Sequence, residues 1–414
     1  MERRIVITGL GTVNPLGQDV ETSWQRVKNG ENGITAIDIF DASAYPSRIA
    51  GIIHDLKTDK YLEPKEARRL DRFTLLALIS AIQAMENAGL KPGDVEPQKL
   101  GVIIGTGVGG INTLTQAFHT MHTRGGTRIH PLSVPTLICN IAAAQVAIHF
   151  NAQGPCYPVV TACASGTDSI GNAYWAIKNN ICEVVIAGGT EAPLCEITLA
   201  GFCALQALSK GFNDRPDKAC RPFDKMRDGF VLAEGAGIMV LEELSYAKKR
   251  GARIIAEIVG FGQSCDAFHV TAPEPSGRGA AQAMQMALDE AGLKPEDIDY
   301  INAHGTSTPL NDPMETKAIK SVFGSWAKKL KVSSTKSMTG HMIGGTGAFE
   351  AIVCALAIRD QFFPPTRNYE KPDEECDLDY VPNKGYSGRI RAAISNSLGF
   401  GGHNGVLALK EYKD

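Results

Sequence analysis

Among the ten cysteines of the chain, Cys163 has the surroundings that best suit a nucleophile. It stands in the motif TACASG, directly after the apolar residues Val159 and Val160, which predicts a strand end, a tight turn and the start of a helix. A helix N-terminus favours the thiolate form of cysteine, and its backbone N–H groups can stabilise an oxyanion. The motif alone leaves open a second interpretation, in which Cys163 is a small apolar residue of the core.

Two histidines lie in loops that follow strand-like segments. His304 belongs to NAHGTSTPLND. His341 belongs to SSTKSMTGHMIGGTGAFE, in which Lys336 precedes it by five residues and Glu350 follows. Loops at strand ends carry many functional side chains of α/β proteins. One cysteine and two histidines suit nucleophilic catalysis better than a zinc site, which needs three or four ligands. We therefore expect no metal ion, although His403 could supply a third imidazole.

The segment NSLGFGGHN surrounds Phe400 with glycines. Glycine permits close backbone approach and left-handed dihedral angles, so this segment suits a tight turn or a second oxyanion donor. The glycines that follow His341 do not form a phosphate-binding loop, because the pattern GxxxxGK[ST] is absent from the sequence.

The composition is that of an ordinary globular protein. Of the 414 residues, 43% are hydrophobic and 21% are charged, and the net charge is −3. This balance argues against a nucleic-acid-binding protein or a polybasic membrane binder. No stretch approaches the ~18 apolar residues of a membrane span, and the apolar run before Gly9 is too short for a signal peptide. The cysteines form no Cys-x-x-Cys pair. We therefore expect a cytoplasmic protein without a disulfide framework.

Two similar segments indicate an internal duplication. AMENAGLKPGDV begins at Ala84 and ALDEAGLKPEDI begins at Ala287, and they share seven of twelve residues at an offset of 203. A helix end followed by Gly-Leu-Lys-Pro is common, because glycine suits the left-handed cap and proline blocks continuation. A weaker similarity between RIVITGLG near the N-terminus and AEIVGFG at 256–262 supports a true repeat.

Alternating helix and strand signals predict an α/β fold. Helical spacing of apolar residues extends over 73–88, whereas the short runs VVIAGG and IMVL are typical of buried strands. Together with the repeat, this pattern divides the chain into an N-terminal half at 1–250 and a C-terminal half at 251–414. The first half is longer and must hold insertions, which we expect near 110–135 and 195–225.

Four motifs, in this order, resemble those of the β-ketoacyl-[acyl-carrier-protein] synthases of the I/II type: TACASG, NAHGTSTPLND, STKSMTGHMIGGTG and NSLGFGGHN. The segments GGTEAP and CRPFDKMRDGFVLAEGAG add to the resemblance, which covers essentially the whole chain. It implies the thiolase fold, in which two duplicated βαβαβαββ halves form five α-β-α-β-α layers, and it implies a homodimer. The sequence departs from the family pattern at Ala233, where glycine is more frequent, and at His403, where several members have threonine.

The resemblance also implies a reaction and the residues that perform it. Cys163 would take an acyl group from an acyl carrier protein. His304 and His341 would then assist decarboxylation of malonyl-carrier protein and donate hydrogen bonds to the developing enolate. The resulting carbanion would attack the acyl group, with the oxyanion between the N–H groups of Cys163 and Phe400. Lys336 would tune the electrostatics around His341. The product would be a 3-oxoacyl-carrier protein of fatty acid elongation, formed without a cofactor.

Further residues match substrate-binding positions of the family. Thr306 and Thr308 match residues that bind the pantetheine arm, and Glu350 would act with Lys336 near the substrate. Val108 falls beside the acyl pocket, where type II enzymes carry a branched residue, and this favours type II over type I. The carrier protein is acidic, so a basic patch is expected at the mouth of the pocket. We expect it in PKEARRLDRF, whose cations would share one face of a helix: Lys65, Arg68 and Arg69.

The main alternative is the ketosynthase of a polyketide pathway, which shares the catalytic residues. Such enzymes usually sit beside other domains or pair with a partner that lacks the cysteine, so a free-standing chain argues modestly against this interpretation. Thiolases use a second cysteine and coenzyme A, and type III synthases use Cys-His-Asn, so both fit the two histidine motifs poorly. A non-catalytic partner tends to lose the nucleophile, whereas Cys163 is retained.

Overall fold

The computed structural model describes residues 3–414, in which helices and strands alternate as the sequence predicts. The strands are β1 (Ile5–Val13), β2 (Ile34–Ala36), β3 (Ile49–Gly51), β4 (Leu100–Gly105), β5 (Cys156–Val159), β6 (Val184–Glu191), β7 (Gly235–Glu243), β8 (Ala256–Cys265), β9 (Tyr300–Asn302), β10 (Lys331–Ser333), β11 (Phe362–Phe363), β12 (Tyr386–Ser387), β13 (Ala392–Gly399) and β14 (His403–Lys410).

The α-helices are α1 (Val20–Lys28), α2 (Pro64–Ala67), α3 (Arg72–Asn87), α4 (Ile111–Arg124), α5 (Ser133–Leu137), α6 (Ile141–Phe150), α7 (Ser165–Lys178), α8 (Glu196–Ala204), α9 (Leu244–Lys249), α10 (Arg278–Ala291), α11 (Asn311–Phe323), α12 (Lys336–Thr339) and α13 (Thr346–Asp360). Short 3₁₀ turns precede two of them, at Ala162–Ala164 before α7 and at Ile343–Gly345 before α13. Of the helices in residues 3–414, none is both long and apolar enough to cross a membrane.

The strand order repeats itself in the two halves of the chain. Ten strands join in the order β10-β9-β13-β14-β8-β1-β7-β6-β4-β5. The short strands β2, β3, β11 and β12 form two separate sheets and are left out of the count. When the other strands of each half are numbered along the chain, the order from the outer edge to the centre is third, second, fourth, fifth and first. In both halves the second strand is parallel to the third and fourth, and the remaining pairs are antiparallel. The halves meet where β1 pairs with β8, so the structure confirms the predicted duplication.

The helices complete five layers around these strands. Helices α7 and α13 pack between the two halves of the sheet, and their apolar residues share one cluster with strands of both. Helices α3 and α6 cover the outer face of the first half, and α10 and α11 cover that of the second. Because α7 is buried on all sides, its small residues are needed: a Cβ on Gly171 would lie 2.4 Å from the Phe261 ring.

Matching glycines explain how each first strand fits against its helix. A Cβ on Gly11 of β1 would lie 1.9 Å from the carbonyl oxygen of Ser80 in α3. A Cβ on Gly262 of β8 would lie 1.9 Å from the carbonyl oxygen of Ala283 in α10. Ser80 and Ala283 differ by the same offset of 203 residues that relates the two sequence repeats. The short repeat therefore marks one strand–helix contact that occurs twice.

The insertions lie where the sequence predicts, with two additions. The first half inserts α4 and α5 between β4 and α6, and α8 between β6 and β7, as expected. It also inserts residues 14–71 between β1 and α3, which the sequence analysis missed. The second half has its own insertion, residues 361–391, between α13 and β13. The division of the chain at residue 250 stays a prediction.

Candidate active site

One cavity of about 540 Å³ brings together residues from both halves of the chain. The predicted site residues in its walls follow the parallel strands β4, β5, β9, β10 and β13, and ligand sites of α/β proteins commonly lie at such strand ends. Further wall segments follow β6 and β8. The predicted site residues among those that line it are Val108, Cys163, His304, Thr306, Thr308, His341 and Phe400.

The turn that carries Cys163 is held in a strained conformation. Ala162, immediately before it, has a φ of +50°, which is unfavourable for a residue with a Cβ. The hydroxyl of Ser165 donates to the carbonyl oxygen of Ala162 at 2.7 Å and accepts from the N–H of Thr161 at 2.9 Å. A Cβ on Gly166 would lie 2.7 Å from a backbone oxygen of Gly344. The motif TACASG therefore forms the expected strand end, turn and helix start.

The predicted lowering of the Cys163 pKa is wrong in direction. Full burial raises the pKa of the Cys163 thiol from its ordinary 9.0 to about 12. The Lys336 ammonium and the backbone N–H groups of Phe400 and Cys163 lower that pKa, but burial outweighs them. The helix position offers donors to the sulfur, yet it does not create a free thiolate. These two N–H groups both act on the sulfur, and their role as oxyanion donors stays a prediction.

The backbone of His304 is fixed by charged side chains behind the cavity. Glu315 of α11 accepts the N–H of His304 at 2.8 Å and that of Gly305 at 2.8 Å. The amide of Asn396 donates to the same Glu315 carboxylate at 3.1 Å, and Lys336 Nζ donates to the His304 carbonyl oxygen. Glu315 was not identified from the sequence. Its place one helical turn after the N-terminus of α11, in a segment rich in small polar residues, was the available signal.

Lys336 and Glu350 form a buried ion pair rather than part of the cavity wall. Both side chains are fully buried, and Lys336 Nζ lies 2.7 Å from Glu350 Oε1. Burial raises the pKa of Glu350 to about 7, against the opposing effect of Lys336. Neither residue lines the cavity. The expected substrate contact of Glu350 is therefore not supported, and its contact within the site is the ion pair with Lys336.

His341 and His304 are both held as neutral imidazoles. The two rings meet edge to face, with centroids 5.5 Å apart and planes at 84°. Burial, followed by the nearby charge of Lys336, lowers the pKa of each ring well below its ordinary value of 6.5. Thr346 Oγ1 lies 2.9 Å from His341 Nδ1, and the ring of Phe230 packs against His341 at 5.3 Å. Within the described residues, His341 Nε2 and His304 Nδ1 have no hydrogen-bond partner.

Phe400 lies in the short turn between β13 and β14. Gly401 and Gly402 follow it with φ of +86° and +78°, so the turn needs glycine at both positions. The ring of Phe400 faces Phe202, at a centroid distance of 6.4 Å. His403 begins β14 opposite Cys265 and does not line the cavity. In residues 3–414, no group of three or more His, Cys, Asp or Glu side chains is arranged to hold a metal ion.

The remaining predicted residues divide into two groups. Thr306 and Thr308 line the cavity, with their hydroxyl oxygens 3.0 Å apart. Lys65, Arg68 and Arg69 are exposed, but α2 ends at Ala67, so the three cations do not share one helical face. Lys65 and Arg69 line a separate groove of about 530 Å³ instead of the mouth of the cavity around Cys163. The expected basic patch at the mouth is thus not formed by these residues within one chain.

A duplicated α/β fold that places one cysteine and two neutral histidines in a single cavity defines a condensing enzyme of the thiolase fold. The chain belongs to the β-ketoacyl synthase family: the model of the N-terminal domain matches residues 2–247 and that of the C-terminal domain matches residues 255–370.

Similar proteins cover the chain from end to end. A 3-oxoacyl-[acyl-carrier-protein] synthase 2 of Staphylococcus aureus strain N315 is 49% identical over 99% of both chains. One from Synechocystis is 47% identical over 100% of this chain and 99% of its own length. Among solved structures, a type II polyketide ketosynthase in complex with its acyl carrier protein superposes with a TM-score of 0.92, at 34% identity and full coverage of both chains.

Proposed function

We propose that the chain condenses malonyl-acyl-carrier protein with an acyl group held on Cys163, giving 3-oxoacyl-acyl-carrier protein in fatty acid elongation. The observation that carries this proposal is the single cavity that joins Cys163 to two neutral histidines, His304 and His341. The 49% identity to a 3-oxoacyl-[acyl-carrier-protein] synthase 2, against 34% to a polyketide ketosynthase, favours fatty acid elongation over the polyketide alternative.

In the first step, the acyl group moves from the carrier thioester to the sulfur of Cys163. The Cys163 S–C bond forms, the carrier S–C bond breaks, and the thiol proton passes to the departing carrier thiol. Because the buried thiol is protonated, this proton must leave as the sulfur attacks. The N–H groups of Cys163 and Phe400, which already act on the sulfur, support the tetrahedral oxyanion.

In the second step, malonyl-carrier protein loses its carboxylate as CO₂. The electron pair of the broken C–C bond becomes the enolate of the acetyl thioester. The pKa values of His304 and His341 lie well below 6.5, so both rings are neutral at neutral pH. A neutral imidazole still carries one N–H, and each ring donates it to the thioester oxygen. Burial, assisted by the nearby charge of Lys336 in its ion pair with Glu350, keeps both rings in that state.

In the third step, the enolate carbon attacks the acyl-Cys163 carbonyl. A C–C bond forms, the thioester S–C bond breaks, and the Cys163 thiolate takes up a proton to restore the resting thiol. The product remains on the carrier as the 3-oxoacyl thioester. No cofactor enters any of the three steps, and Glu315 acts only by fixing the backbone of His304 and Gly305.

The acyl carrier protein is the proposed partner. Thr306 and Thr308 at the cavity wall would bind its pantetheine arm, and Val108 would contact the acyl chain. Lys65, Arg68 and Arg69 are exposed cations that would attract its acidic surface, although within one chain they lie beside a separate groove rather than at the mouth of the cavity. Reversing these three charges should raise the KM for the carrier protein about tenfold and leave kcat within about twofold. An unchanged KM in steady-state assays would remove the docking proposal.

A homodimer is proposed from the exposed edge of the sheet. Strand β5 ends the ten-stranded order, so within residues 3–414 its outer backbone groups have no neighbouring strand. The helices beside it add an apolar surface, whose most exposed members are Val134 and Ile148, at 67% and 72%. Sedimentation equilibrium should give twice the mass of the chain, and Val134→Asp should shift the protein to monomer. A monomeric wild type would contradict this assembly.

A cytoplasmic location is likewise proposed.

The reaction itself is tested with acyl-carrier proteins of increasing length, from C4 to C16, and malonyl-carrier protein. We expect one condensation per acyl chain, with a 3-oxoacyl product two carbons longer, identified by mass spectrometry. A polyketide enzyme would instead extend its own unreduced product repeatedly. Poly-β-ketone products would overturn the fatty acid assignment, and absence of any condensation would overturn the proposed function.

A further inference from the structure

Glu191 is a fully buried carboxylate, at the end of β6, to which the proposed reaction gives no task. Its partners are all hydrogen-bond donors, which matches an ionised carboxylate that only accepts. The donors are Thr106 Oγ1 (2.8 Å) and the backbone N–H groups of Gly107 (2.6 Å), Val108 (3.1 Å), Gly109 (3.2 Å) and Gly344 (3.1 Å).

These donors belong to two turns from different halves of the molecule. One turn follows β4 and carries Val108, and the other precedes α13 and carries Ile343. The turns are in direct contact, since a Cβ on Gly107 would lie 2.8 Å from Ile343 Cγ2. Both Val108 and Ile343 line the cavity around Cys163, whereas Glu191 does not. The carboxylate therefore joins two parts of the cavity wall from behind.

The second turn is strained and needs such support. Ile343 has a φ of +44°, which is a rare and unfavourable conformation for a β-branched residue. A conformation of this kind persists only where surrounding contacts hold it. The N–H of Gly344, the next residue, is the group that donates to Glu191. Loss of that acceptor should let Ile343 relax and move against Val108.

We propose that Glu191 is a positioning residue that sets the width of the acyl pocket by holding the Val108 turn against the Ile343 turn. This inference rests on the proposed acyl transfer to Cys163. A long acyl chain must pack along both turns, whereas a short one reaches less of the wall. Glu191 should therefore determine how well long chains are accepted, and should affect decarboxylation of malonyl-carrier protein far less.

Three variants test this role. Glu191→Gln keeps the shape but turns one acceptor oxygen into an N–H donor that opposes backbone N–H groups. Thr106→Val is milder and removes one hydroxyl donor to the carboxylate. Glu243→Gln is the matched control, because Glu243 is also buried and accepts backbone N–H groups from Ser245 (2.7 Å) and Tyr246 (3.1 Å), but it caps α9 away from the cavity.

The measurement is the rate at which Cys163 is acylated by C16- and C4-acyl-carrier proteins, followed by intact-protein mass spectrometry. Glu191→Gln should slow C16 transfer about tenfold and C4 transfer about twofold or less, since hydrogen bonds to a buried charge are lost at the pocket wall. Thr106→Val should shift the C16-to-C4 ratio in the same direction by a smaller factor. Glu243→Gln should leave the ratio unchanged.

Equal losses for both chain lengths, or no loss, would overturn the proposal. If Glu191→Gln does not fold, the ratio measured with Thr106→Val decides the matter. If the wild-type protein is not acylated by either substrate, the proposed function has failed instead. A wild-type protein that accepts both, with variants that do not discriminate, rejects only the role of Glu191.

Discussion

The two halves of the molecule share one strand order but contribute different residues to the cavity. In the first half, the end of β4 leads to Val108, and α7 begins just after Cys163. In the second half, the corresponding strand β9 leads to His304, and the corresponding helix α13 begins shortly after His341. Under the proposed function, equivalent positions would provide the acyl-holding side of the site in one half and the carbanion-forming side in the other.

The connection after the fourth strand differs strongly between the two halves. In the second half, β13 and β14 are joined by a turn of three residues, Phe400–Gly402, which brings the Phe400 N–H to the nucleophile. In the first half, β6 and β7 are joined by residues 192–234, which contribute Phe202 and Phe230 to the cavity wall. The two halves therefore share one strand order, and they differ in the segments after the strand ends, which carry the residues of the cavity wall.

Removal of the nucleophile should have the largest effect. Cys163→Ala should abolish elongation, with a loss of at least about 10⁴-fold, because no acyl-enzyme can form. Cys163→Gln should retain malonyl decarboxylation, measured as CO₂ release, because His304 and His341 remain. Normal elongation by Cys163→Ala would show that the nucleophile is another residue. Loss of CO₂ release from folded Cys163→Gln would show that the two halves do not act separately.

The pKa of Cys163 depends on opposing contributions from the two halves. The first half buries the thiol, while Lys336 and the Phe400 N–H of the second half lower its pKa, with a net rise from 9.0 to about 12. The thiol is protonated below that pKa, so alkylation by iodoacetamide should keep rising well above pH 9. At neutral pH it should be slower than for an ordinary thiol by about one to two orders of magnitude, because the smaller thiolate fraction outweighs the greater nucleophilicity of the more basic thiolate. A plateau near pH 8 would show that the second half outweighs burial.

Substitution of either histidine should slow decarboxylation of malonyl-carrier protein more than it slows acyl transfer to Cys163. His304→Ala and His341→Ala should each slow decarboxylation by about 10²–10³-fold, the range found when one donor to a developing oxyanion is removed. Transfer of the acyl group to Cys163 should fall much less, because its oxyanion donors are backbone groups. His403→Ala, outside the cavity, is the control and should change neither rate. Equal losses in both steps would contradict the division of roles.

Much of this arrangement could be predicted from local sequence signals. The offset of 203 residues marks the contacts of β1 with α3 and of β8 with α10, because a glycine-rich strand and a helix end leave short patterns. The motifs around Cys163, His304, His341 and Phe400 each form one turn, and the fold brings those turns together in the cavity.

Other features depend on distant contacts and could not be predicted in this way. The pKa of Cys163 follows burial by the whole domain rather than its place before a helix. Glu191 and Glu315 stabilise backbone N–H groups that lie far away in sequence or across a loop, so no short motif reveals their partners. The insertion at 14–71 was missed, although Gly11 and Gly262 differ by 251 residues and Ser80 and Ala283 by only 203, so extra residues must lie between β1 and α3.

The smallest expected effect concerns the shared frame of the two halves. Gly11→Ala and Gly262→Ala should each lower the free energy of unfolding by about 2–3 kcal/mol, because the added Cβ would lie 1.9 Å from a helix carbonyl oxygen in either half. Gly201→Ala is the control: it lies in α8 with open space around it, so it should stabilise by about 0.5–1 kcal/mol. Urea unfolding measures all three. If only one of the two strand substitutions lowered the free energy of unfolding, the contacts of β1 and β8 with their helices would not be equivalent. The two halves would then share their strand order but not the stability of this contact.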